Sequence, residues 1–176
     1  VSMLEVAGQE ADDVIGTLAR RAAGENIHPV IVTIDKDMMQ LVTEDTVVLN
    51  TSRDDLVIGP EQVKELFGVT PAQIPDLLGL WGDASDNIPG APGIGEKGAK
   101  ALIARFGSIE ACLEHAAEVT AKRQRESLLN NRDQIILSKE LVVIDTAVDF
   151  DVDWEQLKSR PPDQDALVTL LRELDF

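Results

Sequence analysis

Three short acidic groups have the residue types and spacing to hold metal ions: Glu10-Ala11-Asp12-Asp13, Asp35-Lys36-Asp37 and Asp83-Ala84-Ser85-Asp86. Together they supply seven carboxylates, and hard divalent cations such as Mg2+ take carboxylate oxygens as ligands. Seven unpaired negative charges brought to one place would repel strongly. Two divalent ions would offset four of them, and such a pair, about 4 Å apart, activates a water and stabilises the leaving oxygen in phosphodiester hydrolysis. Each group taken alone also has an ordinary structural reading. Acids in a helix's first turn complement its dipole, Asp-x-Asp suits a polar strand end, and Asp83 and Asp86 suit turn caps. The conjunction of the three groups is what points to chemistry.

The elements that must position them follow from periodicity. After Gly8, the residues Ala11, Val14, Ile15, Leu18, Ala19 and Ala22 take the i, i+3, i+4, i+7 spacing of an amphipathic helix that Gly24 stops. Asp13 points furthest from its apolar face, so Glu10 and Asp12 are the better ligands. Residues 29–34, Pro-Val-Ile-Val-Thr-Ile, predict a strand buried on both faces. The carboxyl end of a parallel strand is where α/β folds bind ligands, which is where Asp35 and Asp37 fall. Residues two apart on an extended segment point the same way, so both carboxylates can face one metal cluster. A helical turn around Met38–Leu41 and a strand over Thr46–Leu49 follow, and residues 1–58 read as part of a parallel α/β sheet. Two strands do not make a stable sheet. The sequence opens on Val1 rather than Met, and an N-terminal segment before it is the expected source of the others.

From Gly59 the texture changes, and residues 59–176 read as an all-helical subdomain. Pro60 and Pro71 suit first turns, Thr70 and Ser108 suit caps, and Gly68 and Gly107 suit helix ends. Helices are expected over Glu96–Phe106, over 121–139, and after Pro161-Pro162, the last an amphipathic helix with Leu167, Leu170, Leu171 and Leu174. Between them lies Ile-Pro-Gly-Ala-Pro-Gly-Ile-Gly-Glu-Lys, residues 88–97. Gly90, Gly93 and Gly95 permit a tight turn whose free amides, at a helix N-terminus, can take a phosphate. Ile94 would plug the turn into the core, with Lys97 and Lys100 near its mouth. This is the helix–hairpin–helix pattern of proteins that read the DNA backbone; the competing reading is a ligand-free interhelical turn.

Composition removes other classes. With 44% hydrophobic and 27% charged residues the chain can bury a core. No apolar run is long enough to span a bilayer and no signal segment opens the chain, so no membrane partner is expected. The single cysteine, Cys112, cannot form an internal disulfide, and a cytoplasmic setting is the expectation. The net charge of −16 argues against loose, sequence-independent nucleic-acid binding. Small basic patches, Lys97, Lys100 and Arg105 and then five basic residues between Lys122 and Lys139, run against that excess.

The three acidic groups and the glycine hairpin, in this order and at these intervals, resemble the 5′ nuclease domain found at the N-terminus of bacterial DNA polymerase I, a relative of the flap endonucleases. The resemblance runs from near Val1 into the final helix. It implies a PIN-like α/β fold, here a partial parallel sheet, followed by a helix–three-turn–helix DNA clamp. It implies 5′-3′ exonuclease and 5′ flap endonuclease activity on DNA and RNA primers in bacterial replication and repair. Glu10, Asp12 and Asp13 would then ligate around one Mg2+ or Mn2+ ion, and Asp35, Asp37, Asp83 and Asp86 around a second. The hairpin, with Gly90, Gly93, Ile94, Gly95, Lys97 and Lys100, would grip duplex DNA with a bound K+. Nicked or branched DNA with a 5′ flap and a polymerase in the same parent polypeptide are the implied partners. The family also carries further strands, two more metal-binding aspartates and a basic arch before the Glu-Ala-Asp-Asp motif. Without them this chain alone is expected to have reduced activity or none.

Two rival readings remain at this point: a non-catalytic duplex-binding module that uses only the hairpin, and an unrelated metal-dependent phosphotransferase using Asp35 and Asp37. His28 and His115 read as surface or structural residues, Cys112 as core, and Trp81 as a core anchor rather than a base-stacking platform.

Overall fold

The computed structural model describes residues 2–176 and divides into two compact units, one of Glu10–Val148 and one joining the residues up to Gln9 to Asp149–Phe176. The first opens with α1 (Ala11–Gly24), as the periodicity predicts. Thr17 is fully buried on it and stitches the helix to a later segment. Its hydroxyl donates to the Asp145 carbonyl at 3.3 Å and accepts the Val148 amide at 3.1 Å. The strand β1 (Val30–Val32) pairs in parallel with β2 (Val47–Asn50), which pairs antiparallel with β3 (Leu56–Ile58).

Two expectations about this sheet are corrected. Ile31 is buried, but Val30 and Val32 are 56% and 62% exposed, so β1 is covered on one face only. It is the edge strand of the order β1-β2-β3, and a β-branched run reports strand propensity without reporting what packs on each face. The third strand went unpredicted, because three residues are too few to show a period. It is delivered by a turn in which Asp54 and Asp55 take positive φ, a conformation Asp tolerates.

The helical part is built around α3 (Ile74–Trp81), whose residues Ile74 to Leu80 are all buried. A helix buried on every side belongs inside a bundle. Each fully buried Leu of this helix contributes about 1.5–3 kcal/mol. Before it stand α2 (Pro60–Phe67), ended by Gly68 in the left-handed region, and a 3-10 turn at Pro71–Gln73 begun by Thr70. After it come α4 (Glu96–Phe106) and α5 (Ile109–Glu114), the latter capped by Ser108, which accepts the Ala111 amide. The expected single helix over 121–139 is two, α6 (Lys122–Asn130) and α7 (Arg132–Val142). It breaks at Asn131, whose backbone leaves helical geometry (φ −125°, ψ 29°) while its side-chain amide, at 2.9 Å, joins its own backbone amide, at 3.0 Å, on the Ser127 carbonyl. The α7 backbone lies hard against α3, where a Cβ at Gly79 would sit 2.9 Å from Lys139 Cα.

In the second unit, Asp153 and Asp163 cap the short helices α8 (Trp154–Leu157) and α9 (Gln164–Glu173). The helix expected after Pro161-Pro162 forms as α9, and its leucines Leu167, Leu170 and Leu171, with Leu174 just past its end, are exposed at 38–59%.

Candidate metal centre

Two loops converge on one point. The first leaves β1. The Thr33 amide still pairs with the Leu49 carbonyl, and Thr33 Oγ1 then accepts the Asp35 amide at 3.0 Å. Asp35 Oδ1 accepts the Asp37 amide at 3.0 Å, turning the chain into a 3-10 helix over Asp37–Leu41. Met38 and Met39 are buried in that turn and fix Asp37 against the core.

The second loop leaves α3. Gly82 (φ +80°) ends the helix, the backbone of Asp83 bridges to Ile88 in both directions, and the Ala91 amide returns to the Leu80 carbonyl at 2.8 Å. Gly82 and Gly90 touch backbone to backbone there; a Cβ at Gly90 would lie 2.5 Å from Gly82 N. Gly90 is held from behind by Ser138 and Gln134 of α7. Inside the loop Asp83 Oδ1 accepts the Ser85 amide at 3.0 Å and its hydroxyl at 2.6 Å.

The result is a trio, Asp37, Asp83 and Asp86, with one carboxylate oxygen from each within 4.8 Å of the others. Asp37 Oδ1 is buried with no hydrogen-bond partner, and Asp83 Oδ2 has none beyond its ion pair with the Lys36 ammonium. Buried carboxylate oxygens left this way are costly unless a cation takes them. Burial, followed by the charges of Asp35 and Asp83, pushes the Asp37 carboxyl up to about 7. Asp86 is raised by burial and by Asp83 and Asp35. Burial works to raise Asp83 too, but hydrogen bonds from Lys36 and Ser85 outweigh it and hold that carboxyl down at about 2. Three hard oxygen donors with frustrated charge are a fitting set for a divalent metal ion.

Of the other predicted ligands, Asp12 feels the same field. Its carboxyl is raised by burial and by Asp35, Glu10, Asp13 and Asp86. Asp35 orients Asp37 and stands outside the trio. Glu10 is the exposed residue preceding α1. Asp13 is engaged elsewhere, its Oδ1 accepting the Asp145 amide at 2.8 Å. An open cleft of about 420 Å3, lined by Thr33, Ile34, Asp35, Lys36, Ser85 and Asp86, gives access to the trio. Beside it lies a second cavity of about 380 Å3, which Lys36 also lines, with Asn50, Arg53 and the half-buried Trp81.

The hairpin follows directly. Ile94 is 3% exposed and plugs the turn as expected. Gly93 (φ +79°) and Gly95 are exposed at the start of α4, and so is Lys97. Lys100 is tied to Glu96 at 2.7 Å and reaches the Leu66 carbonyl, which makes it part of the scaffold. Sequence reading missed Arg123 of α6: a Cβ at Gly93 would lie 2.4 Å from its Nε, so the guanidinium covers the turn. Nor does spacing single out Lys36, which occupies the variable position of Asp35-x-Asp37.

An acidic cleft at the carboxyl end of a parallel strand, followed along the chain by a helical bundle that carries a glycine turn, defines an α/β-plus-helical class of protein with its candidate ligand site at that strand end. Residues 1–68 match the 5′-3′ exonuclease N-terminal resolvase-like domain, and residues 69–165 match the 5′-3′ exonuclease C-terminal SAM fold. The chain belongs to the 5′-3′ exonuclease family.

It is 40% identical to DNA polymerase I of Bacillus subtilis over 100% of this chain and 20% of that protein. It is 45% identical to DNA polymerase I of Pseudomonas aeruginosa over 99% of this chain and 20% of that one. The 5′-3′ exonuclease of Aquifex aeolicus is 38% identical over 100% of this chain and 59% of its own length. The chain thus spans about a fifth of the polymerase relatives. Among solved structures, a T5 5′-exonuclease with bound zinc superposes with a TM-score of 0.74 at 22% identity, covering 81% of this chain and 53% of that one. A T5 flap endonuclease complexed with DNA and metal ions gives 0.74 at 21% identity, with the same coverage. These likenesses establish the fold. No helix among the described residues is long and apolar enough to cross a membrane.

Proposed function

We propose that this chain is the metal- and duplex-holding part of a 5′-3′ exonuclease and 5′ flap endonuclease that acts on DNA and RNA primers. The observation that carries the reading is the trio Asp37, Asp83 and Asp86, in which Asp37 Oδ1 is buried without a hydrogen-bond partner and Asp83 Oδ2 is answered by the Lys36 ammonium. Asp37, Asp83 and Asp86 hold one divalent ion, Mg2+ or Mn2+, with Asp35 bracing Asp37; Asp12, Glu10 and Asp13 serve a second. When bound, the ions supply an activated water and charge stabilisation at the leaving oxygen. The chain supplies no side-chain nucleophile. Its part is to fix the ligands and hold the scissile phosphate in place. The Gly93 and Gly95 amides and Lys97 take a phosphate of the duplex, with a K+ ion at the turn, while Gly90 and Ile94 shape it from inside. The division into an α/β part, residues 1–58, and a helical clamp, 59–176, belongs to the same reading, as do flap or nicked duplex as substrate and a polymerase in the parent polypeptide.

The test is cleavage of a 5′-labelled flap duplex in Mn2+, with Asp35→Ala beside it and binding to the same duplex measured in EDTA. Cleavage lost in Asp35→Ala with binding retained is the expected result. Binding without cleavage by either protein would reduce the chain to a duplex-gripping module, and absence of both would overturn the reading.

A further inference from the structure

The acidic trio carries its own cation. Among the described residues, Lys36 is the cation with which these carboxylates form an ion pair, Nζ meeting Asp83 Oδ2, and the Asp83 side chain is only 4% exposed. The same ammonium lies 5.9 Å from the centre of the Trp81 ring, within cation–π range. Lys36 is flanked on both sides by acids of the site, Asp35 and Asp37, and its side chain lines both the entrance cleft and the neighbouring cavity.

A divalent ion that ligates Asp83 and an ammonium that contacts the same carboxylate would be like charges within a few ångströms, and they repel. The carboxylate can serve one of them well. Lys36 also has somewhere to go: the cavity of about 380 Å3 that it already lines together with Trp81.

We propose that Lys36 is the resident counter-ion of the metal-free site, holding Asp83 in its ligating position until a divalent ion displaces the ammonium toward the adjoining cavity. This rests on the metal-holding reading of the trio and adds to it a named competitor. Lys36 is a positioning residue: it keeps the ligand loop formed without metal, and it sets the metal concentration at which the site fills.

The experiment uses the full 176-residue chain with Trp154→Phe, which leaves Trp81 as its one tryptophan. Mg2+ is titrated calorimetrically and by Trp81 emission, and metal-free melting is recorded, for the Lys36 protein, Lys36→Met and Lys36→Arg. In the Lys36 protein Mg2+ is expected to shift Trp81 emission as the ammonium leaves the ring. In Lys36→Met that shift disappears, Mg2+ binds at least tenfold tighter, and the metal-free melting temperature falls; Lys36→Arg stays close to the Lys36 protein. A merely structural lysine would lower stability without tightening Mg2+ binding. Equal Mg2+ affinity in the Met variant, or an unchanged Trp81 response, overturns the role of Lys36 while leaving the metal site standing. Failure of every variant to take up Mg2+ overturns both.

Discussion

Helix α3 has a buried aspartate near each end, and the two have opposite characters. Asp76, in its first turn, accepts the Ile109 amide at 2.8 Å and the Lys139 ammonium at 2.7 Å. Lys139 also holds Glu110 at 2.8 Å. Burial works to lower the Lys139 ammonium, but Asp76 and Glu110 outweigh it and leave it raised, while the hydrogen bond from Lys139 holds the Glu110 carboxyl down. Asp76 also lies at the positive end of the helix dipole. Asp83, just past the other end, meets the negative end, shares its surroundings with Asp37, Asp86 and Asp35, and has one lysine to answer them. A buried carboxylate answered by an amide and an ammonium of its own belongs to the scaffold. One that crowds with others around too few cations marks where an external cation is wanted.

Breaking the satisfied end gives the largest effect. Lys139→Met strands Asp76 in the core without its partner, and removal of one member of a buried pair costs about 3–5 kcal/mol. Urea unfolding of the metal-free protein at neutral pH should show that loss, and adding Mg2+ should not restore it, because Lys139 takes no part in the acidic trio. A loss below about 1 kcal/mol would mean that Asp76 is adequately held by the Ile109 amide and that the contrast between the two ends is weaker than the geometry implies.

At the unsatisfied end the sign reverses. The Asp37 carboxyl, pushed up to about 7 by burial and by Asp35 and Asp83, keeps its proton in the folded state at pH values where the unfolded chain, with its ordinary value of 3.8, has lost it. The folded state therefore binds more protons between about pH 4 and pH 7, and metal-free stability falls as pH rises through that window. Asp37→Asn removes this term and should stabilise the metal-free protein at pH 8 by about 1–2 kcal/mol, once solvent screening is allowed for. Thermal melts from pH 5 to 8 in EDTA read it directly: the wild-type slope should be steeper than that of the variant. Saturating Mg2+ should flatten the wild-type slope, since the ion favours the ionised carboxylate. Parallel slopes would show that Asp37 ionises normally and that the trio is not frustrated.

The same contrast explains what could be seen in the sequence. Asp35, Asp37, Asp83 and Asp86 were legible because each follows a local signal, the end of a β-branched run or a glycine-bounded loop, and the hairpin was legible because its glycines answer to backbone needs written locally. Helix α1 and the α4 boundaries likewise rest on neighbouring residues. What was not legible depends on meetings between distant segments. The Lys36 contact with Asp83 spans two loops, Arg123 reaches Gly93 from another helix, and Asp13 is drawn to the Asp145 amide, none of which leaves a trace in spacing. The exposed face of β1 and the break at Asn131 were missed for a related reason. Val30, Val32 and the Leu–Ile pattern across 128–136 carry propensity, while exposure is decided by what packs against a strand and the break at Asn131 by one residue's backbone leaving helical geometry.

The smallest expected effect calibrates both ends. Lys122 and Glu126 form an i, i+4 pair on α6 at 3.8 Å, with side chains 79% and 56% exposed. Each charge remains solvated there, and the entropy of holding two long side chains in register offsets most of the attraction, so such pairs contribute about 0.3–0.5 kcal/mol. Glu126→Gln should therefore shift urea unfolding by no more than about 0.5 kcal/mol, and raising the salt concentration should erase even that difference. A change as large as that of Lys139→Met would mean that α6 stability depends on its surface charge. The large effect at Asp76 could then not be assigned to burial, because an exposed pair in the same bundle would behave alike.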